Sequence, residues 1–347
     1  MSLSTKTKNP FELSLSNTFK DNKNGIFNSP HNKVNESRRV GIKHFEKIGL
    51  PTSKSENWRS TNLHNVYEQK FAIGDEKPLF DKEINEIFRC NVHGFNTNVF
   101  ALLNGWYYSS EETQLQILED GIVVGSIIAA QKKYPEVFEK HFNEIAKPDH
   151  HGLSSVNAAL FTDGLFIYVP DNVQLKKAVQ LIKMVNRDTN IMINTRNLII
   201  VGKNSSLSFL HCDDSINQHS GFLVTNTEVY LGENASLDLY KLQNLNNNTT
   251  LVNSTFVQQE KSSTLNVNVL TFNGGIIRNE FTVDLIGEGA DANISGMYLM
   301  DDNQHVDNQV KVIHSAPNCT SSELFKGVLD DKASGVFNGY IYVARDA

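Results

Sequence analysis

The stretch LIIVGKNSSLSFL, residues 198–210, returns 30 residues later as EVYLGENASLDLY, residues 228–240. Further copies centre on Leu265 and Ala292, and a looser fifth copy runs over residues 310–324. In each copy, apolar and polar residues alternate on both sides of a tight turn, the pattern of two short strands with one face inward. A unit of this length cannot bury its apolar face alone, whereas stacked neighbours bury a continuous core. The repeat therefore predicts a mainly β protein built on a β-solenoid.

The competing interpretation of the repeat is a β-sandwich with regularly spaced turns. The solenoid is favoured because sandwich strands do not normally repeat the sequence of their turns. In a solenoid each coil contacts only its neighbours, so an end coil offers unpaired backbone to a partner that adds strands. We expect the last strand, residues 336–343, to form such a sheet edge, through which the chain can also form a homodimer. Its candidate interface residues are Val336, Phe337, Tyr340 and Tyr342.

Three regions follow from the pattern along the chain. Residues 1–35 are polar, rich in Asn, Ser and Lys, and predicted to form a loosely ordered arm. Residues 36–185 form an N-terminal helical and mixed α/β region, and residues 186–347 form the β-helix. In the middle region, periodicity predicts a helix over residues 37–48 that ends before Pro51. The residues expected on one face of this helix are Val40, His44, Phe45 and Ile48.

Two apolar segments of the middle region have specific interpretations. Asn104-Gly105, between the apolar runs 99–103 and 106–108, predicts a β-hairpin. The run 121–130 is interpreted as a buried strand, because it is far shorter than the ~18 residues of a membrane span. The first residues lack the apolar segment of a secretory signal. We therefore expect a cytoplasmic protein without membrane contact.

Composition and missing motifs exclude several functions. The net charge of −7 argues against nucleic acid as a partner, since a phosphate backbone requires a basic face. Cys90, Cys212 and Cys319 are far apart, which disfavours disulfides and a self-contained iron–sulfur or zinc site. The sequence has neither a glycine-rich phosphate-binding motif nor a G-x-S-x-G nucleophile motif. The chain is therefore predicted to be neither an ATPase by itself nor an enzyme.

One cluster of metal-ligating residue types lies between two repeats. His211-Cys212-Asp213-Asp214, with His219 nearby, has donors suited to a transition metal. The competing interpretation, a solvated loop between coils, is favoured because nothing sets a ligand geometry. Paired acids also occur at 213–214, 301–302 and 330–331. Such acids would suit a solenoid enzyme acting on polysaccharide if they gathered on one face, but paired acids at turns are more often turn formers.

A second cluster lies near the end of the sequence and contains His305, Asp307, His314 and Cys319. His305 and Asp307 are two apart in an extended stretch, so they share a face. A group of His, Cys and Asp side chains can bind metal or move protons. The competing interpretation, which is favoured, is hydrogen bonding along a solenoid wall.

Three motifs, in order along the chain, resemble the SufB/SufD family of iron–sulfur cluster assembly proteins, and the SufD type in particular. The first is GLPTSKSENWRST and the second is NAALFTDG followed by Val-Pro. The third combines HVD, HSAPNCTSS, LFKGVL and FNG. Their positions are residues 49–61, then 157–164 with 169–170, then 305–307, 314–322, 324–329 and 337–339.

The resemblance implies a right-handed parallel β-helix that follows an N-terminal helical region. It also implies a non-catalytic scaffold subunit that pairs with a SufB-like paralogue and a SufC-like ABC ATPase. An iron–sulfur cluster, with reduced flavin as a second candidate cofactor, would then belong to the assembled complex and not to this chain alone. The short N-terminal region and the lack of clustered cysteines favour the SufD type over the SufB type.

Members of this family continue beyond the position that matches Ala347. The resemblance therefore implies a β-helix that is incomplete at its C-terminal end, and a SufC-binding region that is missing here. It transfers no catalytic residue to this sequence, because the matching position is absent. A protein-interaction solenoid that acts alone is the remaining alternative.

Overall fold

The computed structural model describes residues 9–73, 77–78, 96–109 and 114–347, so Cys90 lies outside the described residues. No helix in these ranges is long and apolar enough to cross a membrane. The helices are α1 (Pro10–Asn22), α2 (Asn32–Ile48), α3 (His64–Tyr67), α4 (Ile127–Lys133), α5 (Pro135–His141) and α6 (Gly152–Leu160), with 3-10 turns at Glu56–Trp58 and Glu119–Gly121.

The strands of the described ranges fall into an N-terminal group and a long series after it. The first group is β1 (Ala72–Ile73), β2 (Asn98–Leu103), β3 (Trp106–Tyr108), β4 (Leu115–Ile117), β5 (Val123–Ser126), β6 (Leu165–Val169) and β7 (Val179–Val185). The series continues as β8 (Ile191–Val201), β9 (Ser206–Ser215), β10 (Gly221–Leu231), β11 (Ser236–Asn244), β12 (Thr250–Gln259), β13 (Thr264–Asn273), β14 (Ile276–Leu285), β15 (Asp291–Met300), β16 (His305–His314), β17 (Thr320–Leu329) and β18 (Ser334–Val343).

From β6 onward the chain alternates between two sheets. Sheet A has the order β18-β16-β14-β12-β10-β8-β6-β5-β4, with β1 added beside β8. Sheet B has the order β17-β15-β13-β11-β9-β7-β2-β3. Neighbours from β6 to β18 pair in parallel. Each coil thus adds one strand to each sheet, which confirms the predicted mainly β fold and its parallel solenoid.

The register of sheet B follows the sequence repeat. Leu207 pairs with Leu237, Leu237 with Leu265, and Leu265 with Ala292. These four residues are buried and face residues of sheet A across the interior. Because coils stack in register, one repeat of the sequence corresponds to one coil of the solenoid. The buried residues of sheet A that share this core include Ile199, Val229, Val257, Val283 and Val312.

The repeated turn between the two strands of a coil has a specific cause. Asn172, Asn204 and Asn234 all adopt the left-handed backbone conformation, with φ of 62°, 54° and 57°. Asparagine tolerates this region better than most residues do. The side-chain amide of Asn234 donates to Oδ1 of Asn204 at 2.9 Å, and that of Asn204 donates to Oδ1 of Asn172 at 2.9 Å. The three turns therefore form an asparagine ladder along one edge of the solenoid.

The prediction of a loosely ordered arm is wrong for residues 10–22, which form α1. Asn9 accepts a hydrogen bond from the backbone of Phe11, and Glu12 accepts one from the backbone of Asn9, which gives a capping box. Phe11, Leu15 and Phe19 are buried at helical spacing. These features were present in the sequence, but the many polar residues between them obscured the pattern. Residues 1–8 lie outside the described structure.

Helix α2 begins earlier than predicted and buries a different face. Val40 and Ile48 are 41% and 46% exposed, whereas Val34, Ile42 and Phe45 are buried. The helix packs closely on α6, where a side chain at Gly41 would collide with backbone of α6. The predicted face is therefore wrong for Val40 and Ile48, whereas Phe45 is buried and Nδ1 of His44 lies 2.9 Å from Oγ of Ser155 in α6.

Two other local predictions have different outcomes. The hairpin at Asn104-Gly105 is confirmed, since β2 and β3 pair antiparallel and both turn residues have positive φ. The run 121–130 is a buried strand only over β5. Ser126 then accepts hydrogen bonds from the backbone of Ile128 and Ala129 and starts α4. Both sheets also extend across the predicted boundary at residue 186, because β6 and β7 already pair with β8 and β9.

Candidate functional site

The first and third sequence motifs meet on the outer face of sheet A. The segment that contains Trp58 and Thr61 lies against the start of β16, where His305 and Asp307 share a face as predicted. The hydroxyl of Thr61 lies 3.0 Å from Nε2 of His305 and donates to the carboxylate of Asp307. Burial, opposed by Asp307, lowers the pKa of His305. We call the contact between this segment and the sheet the seam.

Arg278 of β14 is the centre of the seam. Its side chain is 1% exposed and forms an ion pair with Asp307. Nε donates to Glu280 at 2.9 Å, and Nη2 donates to the carbonyl oxygen of Asn57 at 2.8 Å. The guanidinium carbon lies 4.1 Å from the centre of the Trp58 ring, a cation–π contact. One buried cation therefore joins two strands of the solenoid to the N-terminal segment.

The second half of the seam involves the start of α6. Nε2 of His151 lies 3.0 Å from Glu280, and its ring packs edge-on against Trp58 with centroids 5.6 Å apart. Burial alone would raise the pKa of Glu280, but His151, Arg278 and a hydrogen bond from Ser254 hold it well below its usual value. The carboxylate of Glu280 thus stays ionised between Arg278 and His151.

Asn157, in the second motif, fastens α6 to the solenoid. Its side-chain amide donates to the backbone carbonyl oxygens of Thr195 and Val224, each at 2.9 Å. These carbonyls belong to the neighbouring strands β8 and β10. A single buried side chain therefore connects the helix to two coils.

Asp163, also in the second motif, is buried at the end of the loop that follows α6. It accepts hydrogen bonds from Ser126 Oγ at 2.8 Å, from the backbone of Gly164 at 2.9 Å, and from the backbone of Tyr107 at 3.3 Å. Burial raises the pKa of Asp163 to about 6, although these hydrogen bonds oppose the shift. The carboxyl thus connects the hairpin, α4 and sheet A, which is a structural role.

His314 and Cys319 lie apart from His305 and Asp307. His305 begins β16 and His314 ends it, so nine residues of extended chain place them about 30 Å apart. Nε2 of His314 lies 2.9 Å from Oγ of Ser321, and the thiol of Cys319 donates to the carbonyl oxygen of Gly287 at 3.3 Å. The four predicted residues therefore do not form one cluster. In the part of the chain that the structure describes, no group of three His, Cys, Asp or Glu side chains could hold a metal ion.

The other candidate cluster, around residue 211, lies in β9 and not in a solvated loop, so that prediction is wrong. His211 and Asp213 alternate inward into the solenoid and are each 1% exposed. Cys212 and Asp214 point to the other side of the strand, and His219 is exposed in the turn that follows. The cluster is thus divided between the two faces of one strand.

Sequence reasoning missed a polar row in the interior of the solenoid. Nζ of Lys183 lies 2.9 Å from Asp213 and 2.7 Å from Oγ1 of Thr225 on the opposite sheet. Two coils further on, the amide of Gln243 donates to Asn279 at 2.7 Å. Aligning the repeats would have shown the row, since Lys183, Asp213, Gln243 and Thr271 occupy equivalent positions in successive strands of sheet B.

The buried His211 should make the protein sensitive to acid. Burial lowers its pKa from 6.5 to about 4, and Asp213 only partly opposes this. Between these pH values the unfolded chain binds more protons, so the free energy of unfolding falls as pH drops through the window. We expect a loss of up to about 3 kcal/mol from this group. Urea unfolding at several pH values in this window gives the free energy of unfolding, which should depend less on pH in His211→Asn than in the unmodified chain. Equal pH dependence in the two proteins would mean that His211 does not have the lowered pKa.

The predicted interface residues of β18 lie on two different faces. Val336, Tyr340 and Tyr342 belong to the outer face of sheet A, with the two tyrosines 54% and 50% exposed. Phe337 instead points into the interior, where its ring stacks on that of Phe325 with centroids 4.9 Å apart. Within the described structure β18 pairs only with β16, so it is an edge strand.

The paired acids do not gather on one face. Asp213 is inside the solenoid with Lys183. Asp302 and Asp331 have φ of 48° and 50° in the turns after β15 and β17, as expected of turn formers. Nothing in the described structure therefore favours a polysaccharide-cleaving site.

Comparison with known families covers almost the whole chain. Residues 184–347 match the family described as "SUF system FeS cluster assembly, SufBD core domain". Residues 10–181 match the family described as "SufBD protein N-terminal region". The first match covers β8 to β18, and the second covers the helices and the strands up to β6, whose sheets continue into the solenoid.

Individual relatives agree with this assignment. The chain is 27% identical over 315 residues to the iron–sulfur cluster assembly protein SufD of Bacillus subtilis, an alignment of 87% of this chain and 69% of that protein. It is 25% identical over 247 residues to a SufBD family protein of Staphylococcus saprophyticus, and 25% identical over 248 residues to one of Staphylococcus epidermidis. Both alignments cover 69% of this chain and 51% of the relative. The chain thus spans about half the length of the staphylococcal relatives it matches.

Proposed function

Since this chain belongs to the SufBD family of iron–sulfur cluster assembly proteins, we propose that it is a non-catalytic scaffold subunit of the SUF system. In this proposal it pairs with a SufB-like subunit and works with a SufC-like ATPase in the cytoplasm. The iron–sulfur cluster is the cargo of the assembled complex, and any reduced flavin belongs to that complex as well. The observation that carries the proposal is the match of the SufBD core domain to the parallel solenoid.

The edge of β18 supports partner binding by strand addition. Ser334 and Ala344 donate their backbone N–H groups to Gln304 and His314, on the side of β16. Alternate residues of a parallel strand bond to the same neighbour, so the N–H and C=O of Ile341 point to the free side. A partner strand would pair with these groups, and the exposed side chains of Tyr340 and Tyr342 would lie beside it on the outer face.

Co-purification tests this proposal. The tagged chain should retain a co-expressed SufB-like protein of the same organism, and a SufC-like protein only through that subunit. Ile341→Pro removes one backbone donor of the free edge and is expected to reduce retention of the SufB-like protein at least tenfold, whereas Ile341→Ala keeps the donor and should bind nearly as well. Failure of the unmodified chain to retain the SufB-like protein would contradict the proposed pairing. Equal binding by the proline and alanine variants would exclude strand addition at this edge. If the chain instead forms a homodimer that does not bind the SufB-like protein, the free edge of β18 is occupied by a second copy of the chain.

A further inference from the structure

Hydrogen bonds cross the interior of the solenoid at two levels that lie two coils apart. At one level Lys183 of β7 reaches Thr225 of β10 at 2.7 Å. At the other, Gln243 of β11 reaches Asn279 of β14 at 2.7 Å. Because β9 lies between β7 and β11, and β12 lies between β10 and β14, the strands β9 and β12 face each other at the intermediate level.

At this intermediate level several buried polar atoms have no hydrogen-bond partner within the described structure. His211 Nε2 and Asp213 Oδ2 of β9 make no hydrogen bond, and neither do Asn253 Oδ1 and Thr255 Oγ1 of β12. Nζ of Lys241, in the neighbouring strand β11, also makes no hydrogen bond, although it lies 5.9 Å from the centre of the Phe281 ring. All five residues are 1% exposed. Nε2 of His211 lies 3.6 Å from Oδ1 of Asp213, which is longer than a hydrogen bond.

The chemistry of these atoms defines what can lie between them. Asp213 Oδ2 and Asn253 Oδ1 are both acceptors, so they cannot satisfy each other and require a donor. Lys241 offers only donors, and Thr255 can act as either. A halide accepts hydrogen bonds but donates none, so it would leave both acceptors unsatisfied. Water donates and accepts, and buried water typically makes about three bonds to groups of this kind.

We propose that the interior between β9 and β12 is a water-binding chamber. In it, ordered water links Asp213 to Asn253 across the solenoid and connects Thr255 with His211 and Lys241. The water completes the polar row, which then runs without interruption from Lys183 to the hydrogen-bonded pair of Asn279 and Asn308. The chamber is independent of the proposed role in cluster assembly.

Two isosteric variants distinguish a hydrated chamber from a dry one. If the chamber is dry, Thr255→Val removes an unsatisfied hydroxyl and should raise the urea midpoint of unfolding. If it is hydrated, the same variant removes a water contact and should lower the midpoint. Thr225→Val is the matched control, because its hydroxyl bonds Lys183 at 2.7 Å and Thr195 at 3.1 Å, and it should lower the midpoint in either case.

A crystal structure of the full chain at high resolution tests the proposal without any variant. We expect at least one density peak within hydrogen-bond distance of both Asp213 Oδ2 and Asn253 Oδ1, and the loss of one peak beside residue 255 in Thr255→Val. A soak in sodium bromide should give no anomalous signal there. A bromide peak would identify an anion site, and direct contacts among the five side chains with no peak between them would identify a dry interior. Either result would overturn the proposal.

Discussion

Replacing Arg278 by Met is expected to lower the free energy of unfolding by about 3–5 kcal/mol. The arginine is buried, pairs with Asp307 and Glu280, and also bonds the carbonyl oxygen of Asn57. Methionine fills much of the same volume but leaves the carboxylate of Asp307 buried without its cation. Urea unfolding followed by circular dichroism measures the loss.

The control for this variant is an exposed ion pair of similar geometry. Lys203 lies 2.6 Å from Glu233, but both side chains are more than 40% exposed, so Lys203→Met should not change stability measurably. Adding Asp307→Leu to Arg278→Met should recover part of the loss, because the unpaired carboxylate is then gone. A loss below about 1 kcal/mol for Arg278→Met would mean that water reaches the seam and replaces the arginine.

Replacing Gly164 by Ala is expected to lower the free energy of unfolding by about 3 kcal/mol. A Cβ at this position would overlap the backbone of Arg196. That backbone belongs to β8, which is hydrogen-bonded to β10 on one side and to β6 on the other, so it cannot move aside. The close approach explains why the second motif has glycine directly after the buried Asp163.

Gly25→Ala is the matched control, because a Cβ there would make only an ordinary contact of 3.6 Å with the carbonyl oxygen of Asn22. Its stability should stay within about 1 kcal/mol of the unmodified chain. Thermal unfolding of both variants gives the comparison. If the two alanine variants were equally stable, the close approach of residue 164 to β8 would not require glycine at that position.

The sequence was sufficient to predict the solenoid because its coils stack in register. A repeat of Leu207 at Leu237 and Leu265 is at once a sequence period and a set of strand neighbours. The same regularity explains the repeated turn, where an asparagine must adopt positive φ. The strand pairing and the turn conformation can therefore be predicted from the repeat itself, without knowledge of contacts between distant parts of the chain.

The interior polar row could not be predicted in this way. Polar residues such as His211 and Asp213 normally indicate solvent, so a stretch containing them was interpreted as a loop. In the structure both are buried, and Asp213 has its ion-pair partner, Lys183, in another coil. Burial of a polar side chain depends on partners that a single stretch of sequence does not reveal.

Helix α2 shows a related difficulty. Its buried face includes Arg38, whose guanidinium donates to the carbonyl oxygens of Ala159 and Phe161 and lies 4.1 Å from the Phe161 ring centre. A charged residue on the buried face shifted the predicted face toward Val40 and Ile48. Of the predicted site, the pairing of His305 with Asp307 was readable from their spacing, whereas their contact with Thr61 joins segments 244 and 246 residues apart.

That separation affects the order of events on the ribosome. Asp307 is synthesised 246 residues after Thr61, and Arg278 emerges 221 residues after Asn57. At ordinary translation rates this is a delay of about 10 to 50 s. Coils can stack on their predecessors as they emerge, but the contacts of Asn57 with Arg278 and of Thr61 with Asp307 cannot form until β14 and β16 exist. The seam therefore forms late, and until Arg278 has been synthesised Trp58 lacks its cation–π partner.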